Sequence, residues 1–274
     1  MELVLGKLDL KRSTNYYLVS HPKKDAYADV RPLVREIFAR TPNGMGYRQV
    51  AMALRAEQGL RISGKTVLRL MREEGCACRI RRRRYNSYKG EVGKAAGNVL
   101  DRDFSADAPM TKLVTDVTEF ALDGYKAYLS PAIDCFDGMP VCWRVSLHPD
   151  KALALGMLSD LVGAVGPTGE RPLVVHTDGG SVYMTDEWRG ACEAGHVTRS
   201  MSRKSRSPDN ARAESFFGTL KSDFFEGVDW TGVTFGEFRR RLDAYIEWYR
   251  GGKLKRSLGW RTIEQYRRDL GYAA

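Results

Sequence analysis

Three carboxylates stand out by where they sit. Asp116 lies inside "KLVTDVTEFAL" between apolar Val114 and Val117, Asp178 ends the apolar run "RPLVVHTD", and Glu214 lies on the helical stretch "PDNARAESFFGTLKSDFF". Asp178 and Glu214 are separated by 35 residues, and Lys221 follows Glu214 by seven positions. An unpaired carboxylate in an apolar strand is costly. A carboxylate at a strand end projects over a sheet edge, and Gly179 and Gly180 behind it leave room for a backbone to come close. Taken singly, Asp178 also reads as a turn residue and Glu214 as a surface charge. Together the three suit phosphodiester chemistry, in which two metal ions about 3.5–4 Å apart stabilise the attacking and leaving oxygens. Mg²⁺ takes such oxygen ligands, with Mn²⁺ as its substitute, so Asp116, Asp178 and Glu214 are at once the candidate catalytic acids and the candidate metal ligands.

The helix that carries Glu214 supports this. At 3.6 residues per turn, Phe216, Phe217, Leu220 and Phe224 share one arc of about 100°, which faces a core. Glu214 and Lys221 lie together outside that arc, leaving the acid for a site and the lysine for a phosphate. Phe225 falls off the stripe.

The positioning elements follow from periodicity. Three β-rich segments ("KLVTDVTEFAL", "YKAYLSPAIDCF", "MPVCWRVSLH") with turns at Asp123-Gly124 and Asp137-Gly138 are followed by helix, strand, helix, strand and helix. That order predicts an α/β fold, a mixed five-stranded sheet with flanking helices. Upstream, "AYADVRPLVREIFAR", "GYRQVAMALRAEQ" and "GKTVLRLMREE" read as three short helices. Val30, Leu33, Val34, Ile37 and Phe38 form the first apolar face and Val50, Ala53 and Leu54 the second. Ser63 caps the third, with Val67, Leu68 and Met71 facing in. A tight glycine-containing turn before the last helix suggests a small all-α helix-turn-helix domain. Lys65, Arg69 and Arg72 would contact DNA. "FGEFRRRLDAYIEWYR" carries Phe235, Phe238, Leu242, Tyr245, Ile246 and Tyr249 at helical spacing, a face for packing on the core. The expected organisation is an N-terminal segment (1–25), a helix-turn-helix-like domain (26–78), a basic linker (79–109), the catalytic core (110–228) and a helical tail (229–274).

Charge points to the partner. The chain of 274 residues has net charge +10, but residues 1–100 hold 21 Lys and Arg against 9 Asp and Glu, and the remainder 23 against 25. A polyanion, double-stranded DNA, fits the basic third. The run Arg81, Arg82, Arg83, Arg84, with Arg79 just before, reads equally as a phosphate-binding linker or a solvated charge run. Five scattered cysteines form no disulfide framework and no zinc spacing. No apolar run is long enough for a membrane span and the start carries no signal peptide, so no membrane partner is expected and the reading is cytoplasmic.

"VTDVTEF", "HTDGGSVY" and "SMSRKSRSPDNARAESFFGTLKSDFF" strongly resemble the DDE transposase/retroviral-integrase core. The nearest pattern is that of the second-reading-frame product of the bacterial insertion-sequence 3 family. "WYR" at 248–250, "SLGWRTIEQY" at 257–266 and upstream "RSTNYY" extend the resemblance to about residues 12–272. It implies an RNase H-like core and Mg²⁺-dependent nicking at element ends. The freed 3′-hydroxyl would then be transferred to another phosphodiester without a covalent protein–DNA intermediate. Asp116, Asp178 and Glu214 match the family's acids and Lys221 the basic residue that follows them. The resemblance also implies homo-multimers on paired DNA ends. End recognition and a zipper-like segment would come from an upstream first-frame product, so this chain would be one half of a split or frameshifted enzyme. The sequence departs from the pattern at Gly179 (usually Gln), at "SRS" before "PDN", and at Ile263 (usually Pro). Two other readings stand beside the strand-transferase: a DNA-binding protein derived from a transposase without catalysis, and a stand-alone metal nuclease.

Overall fold

The computed structural model describes residues 25–77, 96–101, 103–166, 173–203 and 210–273, with isolated positions before 25. Arg81, Arg82, Arg83 and Arg84, most of the N-terminal segment and the "SRS" stretch lie outside the described residues.

Among the residues described from 25 onward, three helices come before the sheet: α1 (Val30–Phe38), α2 (Tyr47–Gln58) and α3 (Gly64–Glu73). Their boundaries follow local chemistry. The Ser63 hydroxyl accepts the Thr66 N–H at the start of α3, and Gly59 takes the left-handed conformation that ends α2. Val34, Ile37, Val50, Leu54, Val67, Leu70 and Met71 form one buried cluster. Leu70 takes the fully buried place expected of Leu68, which is only half-buried. Arg31 ties the bundle ends by pairing with Asp25, Glu73 and Glu74.

The core sheet has six strands: β1 (Lys112–Thr115), β2 (Thr118–Ala121), β3 (Lys126–Asp134), β4 (Pro140–Ser146), β5 (Leu173–Thr177) and β6 (Val197–Met201). The first expected strand is therefore two. Leu113 pairs with Asp134 and Thr118 with Leu129 in one unbroken antiparallel register along β3, so β1 and β2 are a single strand interrupted at Asp116 and Val117. Two features account for the gap. The register sets Pro131, which has no N–H to give, opposite Asp116. The Val117 N–H turns to the Asp116 Oδ1 instead of the ladder, at 2.7 Å. Counted this way, the sheet is the five-position mixed sheet expected, with β4 on the far edge of β3 and β5 and β6 parallel to β1.

Side chains alternate between the two faces. Val114, Phe120, Leu129 and Ile133 pack on one face against α6 (Ala211–Leu220), α7 (Phe235–Gly251) and α8 (Ile263–Asp269). Leu113, Ala132, Leu173 and Val175 pack on the other against α4 (Lys151–Val165) and α5 (Asp186–Ala194). The tail face is buried as expected at Phe238, Leu242, Tyr245, Ile246 and Tyr249, with Phe235 partly buried against the same core. Trp248 packs on both this core and the helix-turn-helix core, and Leu254 on the latter.

Candidate active site

Asp116 and Asp178 are neighbours by construction. Lys112 pairs with Val174 and Val114 with His176 in the parallel ladder of β1 and β5. Continuing that register two pairs further, past Thr115 and Thr177, sets Asp116 beside Asp178, where both strands have just ended. Adjacent strands lie about 4.8 Å apart. Asp116 is in phase with Val114 and Phe120, so it belongs to the face covered by α6.

Each carboxylate is held by backbone. Asp116 Oδ1 accepts the Val117 N–H at 2.7 Å, and Asp178 Oδ1 accepts the Gly180 N–H at 2.9 Å. A Cβ on Gly180 would stand 2.8 Å from Asp178 Oδ1, whereas one on Gly179 would meet nothing nearer than Met184 at 3.7 Å. The two glycines thus differ: Gly180 makes room for the Asp178 carboxylate itself, and a Cβ at Gly179 would make only an ordinary contact.

Electrostatics tie Asp116 to the other candidates. Burial first, then the charge of Asp178 and that of Glu214, push its carboxyl far above the usual range, against the Val117 N–H and the positive charge of Lys221. Burial likewise raises Asp178, opposed by the Gly180 N–H. Two carboxylates side by side in a poorly solvated place repel, and a cation between them relieves that repulsion.

Glu214 lies in the first turn of α6 and is exposed. Among the described residues, no three His, Cys, Asp or Glu side chains converge closely enough to hold an ion in this conformation. Lys221 closes α6, with its ammonium 5.7 Å from the centre of the Phe120 ring. From there α6 passes into a π turn, Lys221–Phe225, in which the Glu226 N–H donates to the Lys221 carbonyl at 2.7 Å. This turn explains Phe225. The extra residue per turn rephases the helix, so Phe225 also reaches the core, stacked on Trp230 at 5.5 Å and edge-on to Phe120 at 5.0 Å.

Two further residues belong to the setting. Asn210, buried at the start of α6, brings Nδ2 to 3.4 Å from Asp116 Oδ2, while its Oδ1 has no partner among the described residues. Its place in "PDN", directly before the helix that carries Glu214, was the available signal. Tyr183 is buried at the other face beside Thr115 and Ser130, and the charges of both Asp116 and Asp178 act on its phenol. The sequence gives it no distinguishing pattern beyond its position five residues after Asp178.

Away from this site, Lys65, Arg69 and Arg72 are all exposed on α3, and spacings of four and three put them on one helical face. Arg69 is already engaged, with Glu73 at 2.8 Å and the Tyr27 ring at 5.8 Å. Among the described residues no helix is long and apolar enough to cross a membrane.

Known proteins resemble the chain along most of its length. A family described as an integrase core domain matches residues 106–207, a second integrase core domain description matches 214–269, and an HTH-like domain matches 25–84. A probable transposase for insertion sequence element IS1353 of Shigella flexneri is 43% identical over 270 residues, which are 98% of this chain and 52% of that protein. The chain thus spans about half the length of that relative. The putative transposase InsK for insertion sequence element IS150 of Escherichia coli K12 is 38% identical, over 97% of this chain and 93% of that protein. Among solved structures, the HTLV-2 integrase catalytic core domain in complex with magnesium aligns with a TM-score of 0.41 and 18% identity, over 58% of this chain and 96% of that one.

Proposed function

The chain belongs to the integrase-core transposases of insertion sequences, and from that premise we propose that it cuts DNA at the ends of such an element and joins the freed 3′-hydroxyl to a second phosphodiester. The observation that carries the reading is the side-by-side placement of Asp116 and Asp178 at the ends of two parallel strands, with Glu214 and Lys221 acting on the same carboxyl.

The donor set fits a hard divalent cation: every side-chain donor is an oxygen, and the repulsion between Asp116 and Asp178 is the kind a cation relieves. Those two would hold Mg²⁺ or Mn²⁺, with Glu214 contributing from the facing helix. When bound, the metal supplies charge stabilisation for the phosphoryl oxygens and a more acidic water or hydroxyl. The chain's own residues do the rest. Val117 and Gly180 N–H groups fix the carboxylate orientations, and Asn210 stands over Asp116. Lys221 offers its ammonium to a phosphate at the site's edge, while Lys65, Arg69 and Arg72 present one cationic face to a DNA groove. The organisation that goes with this reading is an N-terminal segment (1–25), a helix-turn-helix domain (26–78), a basic linker (79–109) that carries Arg81, Arg82, Arg83 and Arg84, the core (110–228) and the tail (229–274). The protein works as a homo-multimer on paired ends in the cytoplasm, with a first-frame product as a further partner.

A junction assay tests this. The chain is expressed with its native flanking DNA, with and without the upstream reading frame, and joined ends are amplified. Junctions that appear with wild type and vanish with Glu214→Gln support the reading. Duplex binding without cleavage or junctions points to a silent DNA-binding protein; cleavage without joining points to a nuclease.

A further inference from the structure

The π turn at Lys221–Phe225 is held from several sides. Trp230 Nε1 donates to the Phe225 carbonyl at 3.0 Å. Asp223 Oδ2 receives Lys253 Nζ at 2.5 Å and the Tyr245 hydroxyl at 3.1 Å. These ties come from the core and tail. A further one comes from the helix-turn-helix bundle: Asn43 Nδ2 donates to the Ser222 carbonyl at 2.6 Å, across 179 positions of sequence.

Asn43 is built for that contact. It is buried, at 4% exposure, in the turn between α1 and α2. That turn is closed by Gly44 N–H to the Thr41 carbonyl at 2.9 Å and by Met45 N–H to the Phe38 carbonyl at 3.0 Å. Gly44 has φ +77°, and a Cβ there would run into the Phe38 ring, so the turn has little freedom. Asn43 Oδ1 and Thr41 Oγ1 are buried without a hydrogen-bond partner among the described residues. The second tie runs in parallel: Lys253, which holds Asp223, lies over the Trp248 ring at 5.5 Å, and Trp248 packs on the helix-turn-helix core. The bundle therefore grips Ser222 directly, the tail segment that touches the bundle holds Asp223 through Lys253, and Lys221 is the adjoining residue.

We propose that Asn43 is a positioning residue for strand transfer: it couples the helix-turn-helix bundle to the π turn, so that duplex DNA seated on α3 sets the placement of Lys221 beside the acids. A π turn suits this because such single-turn bulges recur at functional sites. The inference rests on the transposase reading for its consequence, but the coupling is measurable without activity.

The test is hydrogen exchange of residues 221–226 with and without a duplex of the native flanking DNA, in the absence of divalent metal, for wild type and Asn43→Ala. Wild type gains about tenfold protection on adding DNA; the variant loses that gain while its affinity for the duplex stays within about twofold. In Mg²⁺ the variant nicks about tenfold more slowly, and in a Lys221→Ala background the same change has no further effect. If Asn43→Ala melts early, Asn43→Ser, too short to reach the carbonyl, is read in the same way. An unchanged protection gain in a folded variant, or fully additive losses with Lys221→Ala, overturns the proposal. A wild type that neither nicks nor joins defeats the transposase reading instead, and the exchange result still decides the coupling.

Discussion

Arg267 on α8 is the most exacting stability test in the molecule. Its guanidinium, 5% exposed, donates to Asp137 Oδ2 at 2.6 Å, to Asp137 Oδ1 at 3.1 Å and to Asp134 Oδ2 at 2.7 Å, and both carboxylate side chains are fully buried. Arg267→Leu keeps much of the volume but leaves the two acids with backbone donors only: Met110 and Phe136 N–H on Asp134, and Met139 N–H on Asp137. Removing one partner of a buried ion pair costs about 3–5 kcal/mol. Because backbone N–H groups remain, the lower end, about 3 kcal/mol, is expected, or roughly 6–12 °C in Tm for a domain of this size. The loss depends on pH. Burial already raises the Asp134 carboxyl, and without Arg267 it rises further, so the folded variant binds a proton that the unfolded chain has released. Stability of the variant relative to wild type therefore falls as pH rises and recovers as pH drops towards 5. Urea unfolding of both proteins at pH 5 and pH 8 measures this. A difference under about 1 kcal/mol at both values, or one that grows on acidification, would refute the reasoning.

Three other outcomes are expected. Gly180→Ala forces a methyl to 2.8 Å from Asp178 Oδ1, so nicking should fall at least tenfold while Tm shifts by only a few degrees, read by gel assay beside calorimetry. Phe225→Ala removes a ring that touches Phe120, Trp230 and Phe238; a loss of about 3 kcal/mol in denaturant titration is expected, and near-neutrality would mean that the π turn does not direct that ring into the core. Lys65→Ala and Arg72→Ala should each weaken duplex binding and reduce the salt slope by about 0.9, measured by anisotropy over a salt series, if α3 lies on phosphates.

The sequence carried most of the elements because their signals are local. Ser63 before an apolar stripe, glycines in the β turns and alternation in β3 each act within a few residues. It also singled out the three acids as candidates, since Asp116 lies inside an apolar strand, Asp178 ends one and Glu214 shares a helix face with Lys221. What escaped notice depends on partners distant in the chain. The break between β1 and β2 needs Pro131 opposite Asp116, which only the register supplies. Phe225 fits no α-helical stripe because the helix there is not α-helical, and the π turn is secured by Trp230, Tyr245, Lys253 and Asn43 from three other segments. The purpose of Gly180 became visible only with the Asp178 carboxylate in place. The Arg267 clamp joins residues 130 or more positions apart, and no spacing rule reaches that far.

In the proposed mechanism Asp116, Asp178 and Glu214 act as one unit. The direct measurement is the rate of nicking and joining of a labelled native-end duplex by the purified protein in Mg²⁺, for wild type, Asp116→Asn, Asp178→Asn and Glu214→Gln, with duplex affinity measured beside it. Each near-isosteric change should abolish both steps, by about a thousandfold or more, while affinity stays within about twofold. Any one of the three that nicks and joins at the wild-type rate would contradict the assignment of that acid and, with it, the shared site.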